Sequence, residues 1–203
     1  MRGLVRVGAA VPSLALGNVK ENMKRHLAMM REAKEKHVSI VTFPELSLTG
    51  YTCGDLFFQR RLLDDVTDAL LTLKNEMPEG ILAVVGAPLE IEGALYNCAV
   101  VLHKGEIISA VSKTFLPNNG EFYEKRWFQS GDARRDASVA IPKLKTDVCR
   151  QAIFETEDGV RFGIELCEDL WAPLPPSTML SVEGAEIILN LSASNELLSK
   201  REY

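Results

Sequence analysis

The chain has 203 residues, which is enough for one domain with a substantial hydrophobic core. Apolar residues make up 46% and charged residues 25%, as in ordinary globular proteins, and the formal net charge is −5. Lysines and arginines are scattered, which argues against a nucleic-acid surface, and no apolar run is long enough to cross a membrane. Four cysteines without paired spacing predict neither a disulfide framework nor a zinc site, and they fit a reducing, cytoplasmic setting.

The first half of the chain predicts strands that alternate with two amphipathic helices. Apolar residues at three- and four-residue steps follow Asn18, a residue type suited to cap a helix, and a second such pattern covers residues 60–75. The strands predicted in this half are Leu4–Val11, Val38–Phe43 and Ile81–Pro88.

The second half predicts two hairpins, a short helix at Ser177–Glu183 and a strand at Glu186–Leu191. Lys104-Gly105 and Glu157-Asp158-Gly159 are the turn signals of the two hairpins. The paired strands are Leu95–Leu102 with Glu106–Val111, and Gln151–Thr156 with Val160–Cys167. Composition and periodicity therefore predict an α/β fold with mixed sheets and helices outside.

Three polar residues stand at or just beyond the ends of predicted strands. Glu45 follows Pro44, which ends its strand because proline cannot donate to a sheet ladder; Lys113 follows the first hairpin, and Cys167 ends the second. Active sites of α/β proteins gather at strand ends, so these side chains are candidates for a proton carrier, an oxyanion stabiliser and a nucleophile. Each also has an ordinary alternative, as a solvated charge or as a small buried side chain.

The segments FPEL, SKTFLPN and IELCEDLW carry these three residues and resemble the nitrilase, or carbon–nitrogen hydrolase, superfamily, whose members use a Glu, a Lys and a Cys at strand ends. The resemblance runs along essentially the whole chain. Within the superfamily, TGYTCGDLF, LPNNGEFYEKRWF and LCEDLWAP look most like the glutaminase domains of glutamine-dependent NAD synthetases. Asn119 departs from the tyrosine that related sequences often have, which leaves the exact amide substrate open.

The resemblance implies the αββα sandwich of this superfamily. The family's domain continues with further strands after the segment that matches NLSAS, and NAD synthetases add a synthetase domain that uses ATP and Mg. We therefore expect residues 1–203 to be a glutamine amidohydrolase domain that is incomplete at its C-terminus, where a further helix begins, and that lacks the synthetase domain. The superfamily often pairs its domains, so we also expect a homo-oligomer.

The resemblance also implies the roles of the site residues. Cys167 attacks the side-chain amide of L-glutamine, Glu45 carries protons, and Lys113 stabilises the oxyanion, without a metal or another cofactor. Glu121 matches the second glutamate that many members carry after the lysine, and it is expected to orient Lys113. The residues expected to line the pocket or bind the substrate are Tyr51, Phe122, Glu168, Ser192 and Ser194.

Three alternatives stay open at this point. Cys53 is a rival nucleophile, although a glycine-flanked loop holds a thiol less rigidly than a strand end does. The chain is alternatively a stand-alone amidase that acts on a small amide or carbamoyl compound. In a third interpretation it is an inactive fragment or interaction module, with a sheet edge left exposed by absent strands.

Overall fold

The computed structural model describes residues 4–133 and 138–200 as two β-sheets with three α-helices. The helices are α1 (Val19–Glu35), α2 (Arg60–Glu76) and α3 (Pro176–Val182). The strands are β1 (Val7–Ala9), β2 (Ile40–Thr42), β3 (Leu82–Ile91), β4 (Ala94–His103), β5 (Glu106–Ser112), β6 (Ser138–Ile141), β7 (Thr146–Cys149), β8 (Ile153–Glu155), β9 (Arg161–Leu166) and β10 (Ile187–Leu191). The large sheet has the order β1-β2-β3-β4-β5-β7-β6, and the small sheet has the order β10-β9-β8.

Four layers stack in the order helix, sheet, sheet, helix. Helices α1 and α2 pack on one face of the large sheet, and the small sheet covers its other face. Helix α3 packs on the outer face of the small sheet, where Leu180 lies directly over Gly163. This arrangement is the predicted αββα sandwich, and the fold prediction is confirmed.

Strands β3 and β4 lie in the middle of the large sheet and are buried on both faces. Because successive side chains of a strand point to opposite faces, Val85 packs toward the helices while Val84 packs toward the small sheet. Such strands are continuous apolar runs in sequence, which is why the sequence predicts them well.

The helices match their predicted positions closely, whereas several strands differ at their ends. Asn18 caps α1 by accepting a hydrogen bond from the Glu21 N–H at 3.1 Å. Strands β1 and β2 are three residues each, shorter than predicted, because the chain leaves the ladder on both sides of them.

Strands β6 and β7 at the edge of the large sheet are absent from the prediction. They form a short hairpin around Pro142 and Lys145, and a proline followed by two lysines within three residues is typical of a loop. The helix expected at the end of the chain does not begin in residues 192–197, and its last part, residues 201–203, lies outside the described residues.

The strand directions bring several strand ends to one edge of the sandwich. Strand β2 is parallel to β3, and β5 is also parallel to β3 because two antiparallel steps separate them. The carboxyl ends of β2 and β5 therefore lie at the same edge of the large sheet, together with the beginning of the antiparallel β4. The loops that follow β2 and β5 can meet there.

Gly86 on β3 makes room for the loop that follows β2. The Gly86 carbonyl accepts a hydrogen bond from the Leu48 N–H at 3.1 Å. A Cβ atom at Gly86 would lie 2.3 Å from the Pro44 carbonyl oxygen and 2.4 Å from the Leu46 nitrogen, both backbone atoms that cannot turn away. The loop that carries Glu45 therefore requires glycine at this position.

We predict that Gly86→Ala lowers the free energy of unfolding by about 1–3 kcal/mol, because the added methyl group pushes against fixed backbone. Gly8→Ala is the matched control, since a Cβ at Gly8 lies 3.2 Å from a methyl group of Val38, a side chain that can adjust. Urea denaturation of both variants measures the difference. Equal losses of stability would contradict this account of Gly86.

Candidate active site

The Lys113 ammonium is buried between two carboxylates at the edge where β2 and β5 end. Its Nζ lies 2.6 Å from Glu45 Oε1 and 2.7 Å from Glu124 Oε1. The side chains of Lys113 and Glu45 are fully buried, and Glu124 is 1% exposed. Glu45 lies in the loop after β2, and Lys113 follows β5 directly, as the sequence predicts.

Because Glu45, Lys113 and Glu124 are buried together, the pKa of Glu45 and that of Lys113 depend strongly on the other charges of the cluster. Burial raises the pKa of Glu45, and the neighbouring Glu124 raises it further, against the opposing effect of Lys113. Burial by itself would lower the pKa of Lys113, but Glu45 and Glu124 outweigh it and the pKa is raised, so the amine stays protonated. Removing one member of such a buried set costs about 3–5 kcal/mol, because a charge is left without a partner.

Asn97 on β4 joins the two carboxylates from a third side. Its Nδ2 donates to Glu45 Oε1 at 2.7 Å and approaches Glu124 Oε2 at 3.4 Å. Every second residue of a strand points to the same face, so Asn97 shares the face of Ala99 and Val101, which pack toward the small sheet. The Asn97 amide is therefore directed into the space between the sheets. The Lys113 N–H also donates to the Asn97 carbonyl at 2.8 Å, which fixes the start of the loop after β5.

Cys167 lies at the end of β9 in the small sheet, and its backbone is strained. Its φ is +45°, a left-handed conformation that costs a residue other than glycine about 1–3 kcal/mol. The residue is 8% exposed. Burial and the nearby Glu45 carboxylate raise the pKa of the thiol to about 11, while Lys113, the Ala193 N–H and the Ser192 hydroxyl act in the opposite direction.

The loop after β10 connects the thiol with the carboxylate cluster. Strand β10 is parallel to β9, so this loop leaves the small sheet at the same edge as Cys167. The Ala193 N–H donates to Glu45 Oε2 at 3.2 Å and is also one of the groups that favour the Cys167 thiolate. A thiol, a carboxylate and an ammonium group thus share one buried environment formed by both sheets.

The prediction that Glu121 orients Lys113 is wrong. The Glu121 side chain is exposed and accepts a hydrogen bond from Asn195, whereas Lys113 bonds to Glu124 three residues later. Glu121 follows a turn at Gly120, which leaves its side chain in solvent. Glu124 begins a short 3-10 helix and is buried, and its carboxylate accepts a hydrogen bond from the Tyr51 hydroxyl.

Tyr51 and Phe122 lie beside the cluster, as expected for pocket residues. The Tyr51 hydroxyl donates to Glu124 Oε1 at 2.6 Å, and the Phe122 ring meets the Tyr51 ring edge-on with a centroid distance of 6.1 Å. Burial and the Glu124 carboxylate raise the pKa of Tyr51, so its hydroxyl remains a donor. Tyr51 thereby holds the Glu124 carboxylate in place.

The other three residues expected to bind the substrate are partly or fully exposed to solvent. Glu168 is half-buried and lines a cavity of about 420 Å³ beside the turn that carries Cys167. Ser192 and Ser194 are exposed on the loop after β10; Ser192 donates to Asn190, and Ser194 accepts from Lys200.

The rival nucleophile Cys53 is buried, and its thiol donates to the Thr49 carbonyl at 3.2 Å. Burial raises the pKa of Cys53 as well, and hydrogen bonds with the Gly17 backbone and with Thr49 oppose this effect. None of the four cysteines forms a disulfide. In residues 4–133 and 138–200, no group of three or more His, Cys, Asp or Glu side chains is arranged to hold a metal ion. No helix in this part of the chain is long and apolar enough to cross a membrane.

Comparison with known proteins decides the family. The carbon–nitrogen hydrolase family profile matches residues 6–202. The chain belongs to the carbon–nitrogen hydrolase family. A glutamine-dependent NAD(+) synthetase of Mycobacterium tuberculosis is 36% identical over 98% of this chain, which spans 30% of that protein.

Solved structures agree with the assignment to the carbon–nitrogen hydrolases. A glutamine-dependent NAD(+) synthetase from Cytophaga hutchinsonii superposes with a TM-score of 0.84 at 28% identity, over 98% of this chain and 32% of that one. An amidase from Nesterenkonia sp. superposes with a TM-score of 0.76 at 16% identity, over 97% of this chain and 68% of that one, and it shares the fold. The chain therefore spans about a third of the synthetases that it matches.

We predict that Glu124→Gln lowers amide hydrolysis by about 10²-fold, because Lys113 and Tyr51 lose the charged acceptor that positions them. Glu121→Gln is the matched control, since its exposed carboxylate touches neither residue, and it should retain near-normal activity. Steady-state assays of both variants, with folding checked by circular dichroism, measure the contrast. A larger loss of activity in Glu121→Gln than in Glu124→Gln would show that Glu121, and not Glu124, positions Lys113.

Proposed function

We propose that this domain hydrolyses the side-chain amide of L-glutamine to glutamate and ammonia, and that the ammonia is used for the ATP-dependent amidation of nicotinic acid adenine dinucleotide. The observation that carries the proposal is the buried Glu45–Lys113–Glu124 cluster beside Cys167. A protonated thiol next to a buried carboxylate acceptor is the pair that general-base activation of a nucleophile requires.

The first half of the reaction forms a thioester. Glu45 accepts the thiol proton while Cys167 Sγ bonds to the amide carbon, and the carbonyl electrons move to the oxygen. The Lys113 ammonium and the Glu168 N–H stabilise this oxyanion, and one such donor contributes about 3–4 kcal/mol. The C–N bond then breaks as the nitrogen takes the proton from Glu45, which releases ammonia and leaves a glutamyl thioester.

The second half of the reaction hydrolyses the thioester. Glu45, again a carboxylate, takes a proton from water as the water oxygen attacks the thioester carbon. The same oxyanion donors act again. The C–S bond breaks, the proton returns to Sγ, and glutamate leaves with the thiol regenerated. Dividing one amide cleavage into these two steps lowers the barrier of each.

Glutamine is the substrate that the relatives support best. The synthetase relatives are glutamine-dependent by name, and this chain is 30% to 36% identical to several of them over nearly its whole length. In the proposal, Glu168 binds the α-amino group of glutamine, while Ser192 and Ser194 hold its α-carboxylate. Tyr51 and Phe122 form the wall along the aliphatic part of the substrate.

The ammonia passes to a synthetase domain that binds ATP and Mg, which is the proposed partner of this domain. Internal transfer keeps ammonia from becoming ammonium, which is not nucleophilic. The domain itself needs no cofactor in this mechanism. A homo-oligomer and a cytoplasmic setting complete the proposal; four cysteines without a disulfide support the latter.

The proposal is tested by supplying nitrogen in two forms to a protein that contains this domain together with the proposed synthetase domain. Cys167→Ala should lower glutamine-driven NAD synthesis by about 10³-fold or more, because the nucleophile is gone. It should keep synthesis from added ammonium, which needs no amide cleavage. Cys53→Ala is the matched control and should keep both activities.

Two results would contradict the proposal. Equal glutamine-driven synthesis in Cys167→Ala and the unaltered protein would exclude Cys167 as the source of ammonia. Loss of both activities in a folded Cys167→Ala protein would exclude separate sites for glutamine and for amidation. Hydrolysis of simple amides with no action on glutamine would instead support the stand-alone amidase.

A further inference from the structure

Asp169, two residues after Cys167, is a buried carboxylate that the mechanism does not use. It is 1% exposed. Its Oδ1 accepts hydrogen bonds from the Thr114 N–H at 3.1 Å and from the Phe115 N–H at 2.7 Å. Its Oδ2 accepts a hydrogen bond from the Leu166 N–H at 3.0 Å. All three donors are therefore backbone groups.

These donors directly adjoin two of the proposed active-site residues. Thr114 and Phe115 follow Lys113, at the end of β5 in the large sheet, and Leu166 precedes Cys167, at the end of β9 in the small sheet. The two sheets pack face to face, and in the described residues they are separate ladders. The Asp169 carboxylate therefore joins the backbones of Lys113 and Cys167 across the sandwich.

We propose that Asp169 is a positioning residue that sets the placement of Cys167 relative to Lys113, and hence the geometry of the thiol and the oxyanion donor. The proposal rests on the function proposed above for these two residues. Asp169 acts through backbone groups on both sides and does not touch the substrate.

A purely local role would require fewer contacts. Asp169 lies in the 3-10 helix Cys167–Trp171 and caps it through the Leu166 N–H, as acidic residues do in capping boxes. That single bond would satisfy a cap. The bonds to Thr114 and Phe115 span more than fifty residues of sequence and contribute nothing to the cap.

The backbone strain at Cys167 gives this anchoring a purpose. A residue at φ +45° persists only when its surroundings hold it. The Asp169 carboxylate binds the Leu166 N–H, so a hydrogen bond joins the residues on either side of Cys167 and closes the strained turn.

An ionised carboxylate accepts all three hydrogen bonds without a competing O–H group. Burial raises the pKa of Asp169 to about 6, and its three N–H partners and Lys113 oppose this effect. At neutral pH the side chain is therefore an acceptor on both oxygens. An asparagine would present its NH₂ group to one of the N–H donors and break that contact.

The test compares Asp169→Asn with Asp132→Asn, an exposed aspartate that forms an ion pair with Arg150 at 2.9 Å. In folded Asp169→Asn, kcat for glutamine should fall by about 10²-fold with KM little changed, since misplacement of about 1 Å has this effect on rate. Iodoacetamide alkylation of Cys167 across neutral and alkaline pH should show a shifted pKa, because the thiol changes its distances to Glu45 and Lys113, which act on that pKa in opposite directions. Asp132→Asn should change neither quantity.

An unmoved alkylation profile in Asp169→Asn, with kcat per folded molecule unchanged, would overturn the proposal. If the unaltered protein shows no turnover of glutamine, the proposed function fails, and the alkylation profile still decides the role of Asp169.

Amide hydrogen exchange of the unaltered protein gives a second measurement that does not depend on the variant. The amides of Thr114, Phe115 and Leu166 should be protected, and they should lose protection together in Asp169→Glu, whose longer side chain moves the carboxylate. Rapid exchange of these amides in the unaltered protein would overturn the proposal. If Asp169→Asn and Asp169→Glu both fail to fold, the proposal is also overturned, because Asp169 then serves the stability of the fold.

Discussion

The buried ammonium of Lys113 between Glu45 and Glu124 is the interaction on which the rest of this active site depends. An ammonium group in a protein interior is stable only when carboxylates and further hydrogen bonds surround it, and Asn97 and Tyr51 complete that surrounding. The same arrangement leaves one carboxylate, Glu45, with a raised pKa and an oxygen directed toward the thiol side of the site. Charge burial therefore also raises the pKa of the carboxyl group that is the proposed proton carrier.

The sandwich supplies this cluster from one sheet and the nucleophile from the other. Glu45, Lys113 and Asn97 come from the edge of the large sheet, whereas Cys167 comes from the small sheet. Face-to-face packing of apolar side chains sets the distance between the sheets, but because it is non-directional it only weakly resists a lateral shift of one sheet over the other. Directional hydrogen bonds that cross between them, at Asp169 and at Ala193, supply the precision that chemistry at Cys167 needs.

Local sequence patterns predict the buried strands, their breaks and hence the strand-end positions of Glu45, Lys113 and Cys167. The αββα layers are implied by the family resemblance, since composition and periodicity alone predict only an α/β fold with mixed sheets. The sequence does not reveal which glutamate bonds to Lys113, since Glu121 and Glu124 differ in burial. Both glutamates stand beside the same aromatic residues in sequence, and the fold shows that Glu124 is the buried one. The carboxylate partners of Asn97, and two of the three partners of Asp169, are distant in sequence, so the roles of both residues emerge only from the fold.

The central claim is that Cys167 forms a covalent intermediate in the environment that this buried cluster creates. Intact-mass analysis and peptide mapping of protein quenched with acid during glutamine turnover test it most directly. The account predicts an added mass of one glutamyl group on the peptide that contains Cys167, and no such adduct on the peptide that contains Cys53. A protein that turns over glutamine with the glutamyl group on another cysteine, and none on Cys167, would contradict the account.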